Sequence, residues 1–278
     1  MASTSTHARK RVCLFGLSAN PPTGSGGHLG VVSYLASLPH NYWQDSVDNG
    51  HSIEEFANKE TYFDEVRVLP VYQHMFSEKR GKLIEFQHRI NMCKLNFGHL
   101  PNVVVSNQEQ LCFDWVCKNR GIIKEDDKAK LRVGTADLLD MLLSQNHETD
   151  GDRCEYTLAL GADTFMDLTS WKWKRAKDVL NLVQGRIIVI FRKASVLNPE
   201  ISRSKDDSNT HQSEKNNISE KILTERVQYV EEEMGLKLFH DGKNMIRLIH
   251  IPSLSEISSS FIRSTSDKNV LRENLNLN

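Results

Sequence analysis

Three consecutive pieces decide the fold: Val12-Cys13-Leu14-Phe15-Gly16-Leu17, then Ser18-Ala19-Asn20-Pro21-Pro22-Thr23-Gly24-Ser25-Gly26-Gly27, then His28-Leu29-Gly30. The first is a continuous apolar run, which reads as a strand buried on both faces. The second is a glycine- and proline-rich loop. The third opens a segment, His28 to Leu38, with apolar residues at helical spacing. A strand that turns through glycines into a helix start is suited to hold an anion, because unpaired backbone N–H groups and the helix dipole both favour negative charge there. Gly16, Gly24, Gly26 and Gly27 let the backbone turn tightly and approach a ligand. Two familiar phosphate loops fail on the letters. The Gly-Lys-Ser/Thr of a P-loop is missing, and Leu29 stands where the third glycine of a dinucleotide fingerprint belongs. A plain turn with an incidental histidine is the alternative reading of His28.

Further strands are predicted over Asp64–Val71, Asn102–Val105, Glu155–Leu160, Arg186–Phe191 and Met245–Ile251. Helices are predicted over Leu83–Phe97, 108–118, 135–143 and Glu220–Met234, the last ended by Gly235 as a C-terminal cap. Apolar strands alternating with helices define an α/β fold: a mostly parallel sheet with helices on both faces. Ligands of such sheets bind beyond the carboxyl ends of the strands, where the strand order reverses. We expect one domain over residues 11–265, with a flexible N-terminus at 1–10, a mobile insertion at 202–217 and a loose tail at 266–278. His40 to Lys59 also reads as an inserted or mobile loop.

Of 278 residues, 39% are hydrophobic and 26% charged, with a formal net charge of −1, so no global basic field attracts nucleic acid or acidic lipid. No apolar run is long enough to span a bilayer, and the first residues lack the apolar core of a secretory signal. Their Ser, Thr and Arg content would suit a transit peptide, but strand-like residues follow almost at once. The five cysteines form no C-x-x-C pair, which argues for reduced structural thiols rather than zinc and for an intracellular protein, cytoplasmic or nuclear. Homo-oligomerisation is left open.

A second constellation follows the last strand: Ile257-Ser258-Ser259-Ser260-Phe261-Ile262-Arg263. The serines are natural helix N-caps whose hydroxyls and N–H groups suit phosphate oxygens. Arg263, one turn on, offers a planar donor fork. A capped terminal helix with an incidental arginine is the bland alternative.

These two junctions together resemble the nucleotidyltransferase superfamily, and within it the nicotinamide/nicotinate mononucleotide adenylyltransferases, which carry G-x-(F/S)-(D/N)-P-x-(H/T)-x-x-H after the first strand and I-S-S-T-x-I-R near the end. Glu85-Phe86-Gln87-His88-Arg89-Ile90-Asn91-Met92 is similar to the family's H-R-x-x-M helix. Gly161-Ala162-Asp163, with Leu168 and Trp171-Lys172, is similar to its G-A-D…L…W-K segment, and Val133-Gly134-Thr135-Ala136-Asp137 to the helix start that meets the mononucleotide. The first loop departs from the pattern by two extra residues, so either Thr23 or Ser25 takes the first phosphate position. The likeness runs from Arg11 to Ser264 in the family's order.

The resemblance implies a Rossmann-like nucleotidyltransferase fold and an adenylyltransferase that joins ATP to nicotinamide or nicotinate mononucleotide, releasing pyrophosphate, with Mg2+ carried on the phosphates. It implies His28 at the α-phosphate with Thr23 or Ser25, and Ser258, Ser259, Ser260 and Arg263 at the β- and γ-phosphates. Gly16, Ser18, Gly27, Gly161 and Asp163 would complete the ATP site, Asp163 by accepting from a ribose hydroxyl. Lys79, Lys82, Arg89, Thr135, Asp137, Trp171 and Arg192 are assigned to the mononucleotide. Trp171, or its rival Trp173, would stack on the pyridine ring, and Arg192 has an ATP-side or plain surface place as its other reading. A related transferase with another acceptor, such as phosphopantetheine, and a nucleotide-binding regulator without turnover are the competing functions. Neither nucleic acid nor membrane is an expected partner.

Overall fold

A computed structural model describes residues 9–42, 60–74, 81–148, 153–191, 219–235, 245–254 and 259–275. Six strands form one sheet: β1 (Lys10–Leu17), β2 (Glu65–Pro70), β3 (Val103–Val105), β4 (Cys154–Gly161), β5 (Ile187–Phe191) and β6 (Ile246–His250). Their order is β3-β2-β1-β4-β5-β6, and every pairing is parallel. The expected α/β architecture is therefore present. The chain adds strands outward from β1 to β3, then restarts beside β1 with β4 and adds strands the other way. The strand order reverses between β1 and β4, where Phe15 lies opposite Ala159.

The helices are α1 (His28–Ala36), α2 (Phe86–Phe97), α3 (Gln108–Asn119), α4 (Glu125–Lys130), α5 (Thr135–Glu148), α6 (Ala162–Thr169), α7 (Ala176–Leu182), α8 (Glu220–Met234), α9 (Ser259–Ser264) and α10 (Lys268–Leu275). Successive strand side chains point to opposite faces, and β1 divides accordingly. Cys13, Phe15 and Leu17 pack with α1 and α2 residues such as Val32, Leu35, Cys93 and Phe97. Val12 and Leu14 pack with Phe113, Leu139, Phe165, Leu180 and Val227, from α3, α5, α6, α7 and α8. The result is three layers, with both sheet faces covered and the apolar strands buried on each side.

Several expectations shift at their edges. β1 begins at Lys10, inside the segment expected to be flexible, because Lys10 donates from its backbone to Arg153 O and its ammonium meets Glu65 at 2.8 Å. α2 starts at Phe86 rather than Leu83. Glu85 has extended backbone (ψ 140°), and the Ile84 N–H and C=O are taken by the Asn20 and Arg89 side chains. The tail after 265 is not loose throughout, since α10 forms there. Asp267 caps it by accepting from Asn269 N–H at 2.9 Å, while Thr265 Oγ1 accepts from Asp267 N–H. α8 matches its expected bounds, with Ser219 accepting from Ile222 N–H and Gly235 at φ 56°. The insertion at 202–217 lies outside the described residues. Among the described residues, no helix is long and apolar enough to cross a membrane. The five cysteines are unpaired, four of them buried.

Candidate functional site

The loop after β1 leaves the sheet at the point of strand-order reversal. Along β1 the residues from Val12 to Leu17 are buried except Gly16, which is exposed. Nothing lies within 4 Å of the place a Cβ would occupy at Gly16. By the strand alternation this open space is on the α5–α6 side of the sheet. Beside it β4 ends at Gly161, which opens α6, and Asp163 stands exposed in the first turn, accepting from the Thr164 hydroxyl at 3.3 Å. Two strand-end glycines and an exposed carboxylate thus stand at the strand-order reversal, where the topology permits a ligand.

The loop that follows β1 is tied down in detail. Thr23 is 1% exposed. Its hydroxyl accepts from His28 N–H at 2.8 Å and its carbonyl accepts from Leu29 N–H at 3.1 Å, while Gly27 N–H reaches Gly24 O at 2.8 Å. Thr23 therefore caps α1, and these N–H groups at the helix start bond within the chain instead of remaining open for phosphate. Thr23 also meets the His28 ring: its N–H donates to Nδ1 at 3.0 Å and Oγ1 lies 2.8 Å from the same nitrogen. A Cβ at Gly27 would sit 2.0 Å from Thr23 Oγ1, and one at Gly30 would sit 2.0 Å from Ser25 O, so both glycines are required by close approach. Ser25 is exposed at the tip. Ala19, at φ 52° and fully buried, is held in a conformation that costs an alanine about 1 kcal/mol.

α2 braces this loop from behind. Arg89, 1% exposed, donates to Ser18 O, Val71 O, Tyr72 O and Ile84 O. It thus joins the ends of β1 and β2 to its own helix. Burial lowers its guanidinium, and nearby Glu109 opposes the shift. Expected to touch the mononucleotide, Arg89 instead spends its donors on backbone carbonyls. Asn96 Nδ2 donates to Thr23 O, and Asn20, also buried, donates to Lys82 O at 2.8 Å. Lys82 itself is exposed.

The second constellation reaches the same loop. Ser259 Oγ donates to Pro21 O at 2.7 Å across 238 residues, and Arg263 donates to Asn20 O across 243 residues. The two junctions read from opposite ends of the chain are therefore in contact. Ser258, Lys79 and Arg192 lie outside the described residues, and Ser260 is placed only as a helical position in α9.

The remaining residues assigned to the mononucleotide belong to the α5–α7 layer. Thr135 opens α5, and Asp137, 5% exposed, accepts from Gly134 N–H at 3.0 Å and meets Arg120 at 3.3 Å and Arg175 at 3.6 Å. Asp137 is thus a helix-start cap within an ion-pair group that continues through Arg175 to Asp140 and Asp178. Trp171, at φ 59°, is half-buried on the same core, with Lys177 Nζ 5.0 Å from its ring centre; Trp173 packs there too.

Sequence reasoning did not single out Asn20 or Asn96 as loop braces, nor Glu109. Glu109 retains some accessible surface in the first turn of α3, yet enough protein surrounds it that burial raises its carboxyl to about 7, with Arg89 acting in the other direction. A pocket of about 630 Å³ adjoins this region, lined by Tyr72, Gln73, Phe86, Arg89 and Gln110 among others. Neither a protein-family model nor a curated protein matches this sequence.

Proposed function

We propose that the chain is an adenylyltransferase that joins ATP to a pyridine mononucleotide with release of pyrophosphate. The observation that carries this reading is the meeting of the two motif-bearing junctions. Ser259 and Arg263 are hydrogen-bonded to the Asn20–Pro21 carbonyls of the loop that leads to His28. Hydroxyl, imidazole and guanidinium groups that suit a triphosphate thus lie around one loop at the strand-order reversal.

In this reaction an oxygen of the acceptor phosphate attacks the α-phosphorus of ATP in line, and the bond to pyrophosphate breaks. Positioning and charge neutralisation supply most of the rate. His28 donates to the α-phosphate oxygens as charge builds on them, and Ser25 adds a hydroxyl from the loop tip. Arg263 and Ser259 exchange their bonds to Asn20 and Pro21 for the β- and γ-phosphates, because charge-assisted bonds outweigh neutral ones. Asp163 takes a ribose hydroxyl. Magnesium enters with ATP as part of the substrate. Among the described residues there is no group of three or more His, Cys, Asp or Glu that could hold a metal ion.

The acceptor is the part of the proposal carried by resemblance alone. A second reading, a nucleotide-binding regulator without turnover, draws on one observation: Thr23 occupies the start of α1. Pyrophosphate release is the test, with ATP, magnesium and a panel of nicotinamide mononucleotide, nicotinate mononucleotide and phosphopantetheine. Release with either pyridine nucleotide supports the proposal, release only with phosphopantetheine reassigns the acceptor, and ATP binding without release from any acceptor favours the regulator.

A further inference from the structure

We infer that Thr23 is a positioning residue, which fixes the ring proton of His28 on Nε2, and not a phosphate ligand. Three contacts join the pair: Thr23 N–H to His28 Nδ1 at 3.0 Å, Thr23 Oγ1 to the same Nδ1 at 2.8 Å, and His28 N–H to Thr23 Oγ1 at 2.8 Å. A backbone N–H can only donate, so Nδ1 must present its lone pair, and the neutral imidazole then carries its hydrogen on Nε2. The hydroxyl fits the same arrangement. It accepts from the His28 backbone, and its own hydrogen is left for Nδ1.

The surroundings hold Thr23 in this place. It is 1% exposed, its carbonyl is taken by Leu29 N–H and Asn96 Nδ2, and Gly27 leaves room for its Oγ1 only because it has no side chain. A phosphate oxygen could reach this hydroxyl only by displacing it from both the helix start and the imidazole. The exposed hydroxyl of the loop is that of Ser25. Thr23 therefore acts through His28, in the way an orienting group selects the tautomer of a catalytic histidine. The kinetic half of this inference rests on the adenylyl-transfer reading, and the tautomer half does not.

The test begins with long-range proton–nitrogen NMR of the ring-labelled full chain, with the His28 signals assigned by their loss in His28→Asn. The expected wild-type pattern is an unprotonated Nδ1 and a protonated Nε2, and a ring protonated on Nδ1 overturns the inference without need of any Thr23 variant. Thr23→Val removes the hydroxyl and keeps the backbone N–H. With the hydroxyl gone, the ring is held by the N–H alone and can turn away from it, so a share of the second tautomer is expected, with kcat for pyrophosphate release about 10- to 100-fold lower and KM for ATP changed less than about twofold. Thr23→Ser is expected to restore both. A Thr23→Val protein with the wild-type ring spectrum and wild-type kcat overturns the inference. Gly27→Ala, which pushes on Thr23 Oγ1 from the other side, serves if Thr23→Val does not fold. If no acceptor yields pyrophosphate, the ring spectrum still decides the role of Thr23, and only the enzymatic reading falls.

Discussion

Glu109→Gln should make the protein relatively more stable at alkaline pH, and the size of the effect follows from the site. Burial raises the Glu109 carboxyl from its ordinary 4.5 to about 7, even with the Arg89 guanidinium favouring the ionised form. The first-turn position on α3 also favours the ionised form through the helix dipole. The unfolded chain ionises this group near its ordinary value, whereas the folded chain keeps the proton longer. Its contribution to stability is therefore complete below about 4.5 and is lost as pH rises through about 7. That gap corresponds to at most about 3 kcal/mol, which the residual solvent access of Glu109 reduces to roughly 1–2 kcal/mol.

Glutamine keeps the shape of the side chain and removes the titration. Urea unfolding of both proteins at about pH 5 and about pH 8 should show the variant-minus-wild-type stability becoming more positive by roughly 1–2 kcal/mol at the higher pH. Any cost of exchanging carboxyl for amide that does not depend on pH cancels in this comparison. A difference that is equal at the two pH values, or that shrinks as pH rises, refutes the reasoning.

His28→Ala should lower kcat by about 10² or more, the effect of losing one transition-state donor, and a near-normal kcat removes His28 from the chemistry. Arg263→Ala should chiefly impair use of ATP, with kcat/KM for ATP down by about 10-fold or more; unchanged steady-state parameters for ATP count against its phosphate role. Gly30→Ala should destabilise the fold by about 1–3 kcal/mol in urea titration, because its Cβ would lie 2.0 Å from the Ser25 carbonyl oxygen, and a wild-type unfolding midpoint contradicts that close approach.

The strands and α8 were legible because their signals are local: unbroken apolar runs in VCLFGL and RIIVIF, and an amphipathic period closed by Gly235. Short helices were harder. α7 covers Ala176–Leu182 and follows Arg175 at φ 59°, a start for which the sequence offers no capping residue. α10 is hidden in a polar segment, where its cap, Asp267, has the same letters as a loop. The glycine loop and the Ser-Ser-Ser-x-x-Arg segment were visible because their residues are contiguous. The role of Arg89 was not. Its partners are carbonyls 71, 18 and 17 residues away at Ser18, Val71 and Tyr72, and a carbonyl is common to every residue type. The same holds for Asn96 and for the bonds of Ser259 and Arg263 to Pro21 and Asn20.

The loop from Ser18 to Gly27 is where chemistry and architecture meet. The loop makes a turn closed by Gly27 N–H on Gly24 O, and Thr23 is folded back onto the helix it precedes. A helix start has only a few unpaired N–H groups, so each one that Thr23 takes is withdrawn from phosphate. The withdrawal is compensated elsewhere: Thr23 gives His28 a defined tautomer, and the turn sets Ser25 at the exposed tip. In the proposed reaction, phosphate handling therefore falls to side chains, namely His28, Ser25, Ser259 and Arg263, more than to backbone N–H groups. Side-chain donors can exchange partners without unwinding α1, and that exchange is what a transferase needs between ATP binding and pyrophosphate release.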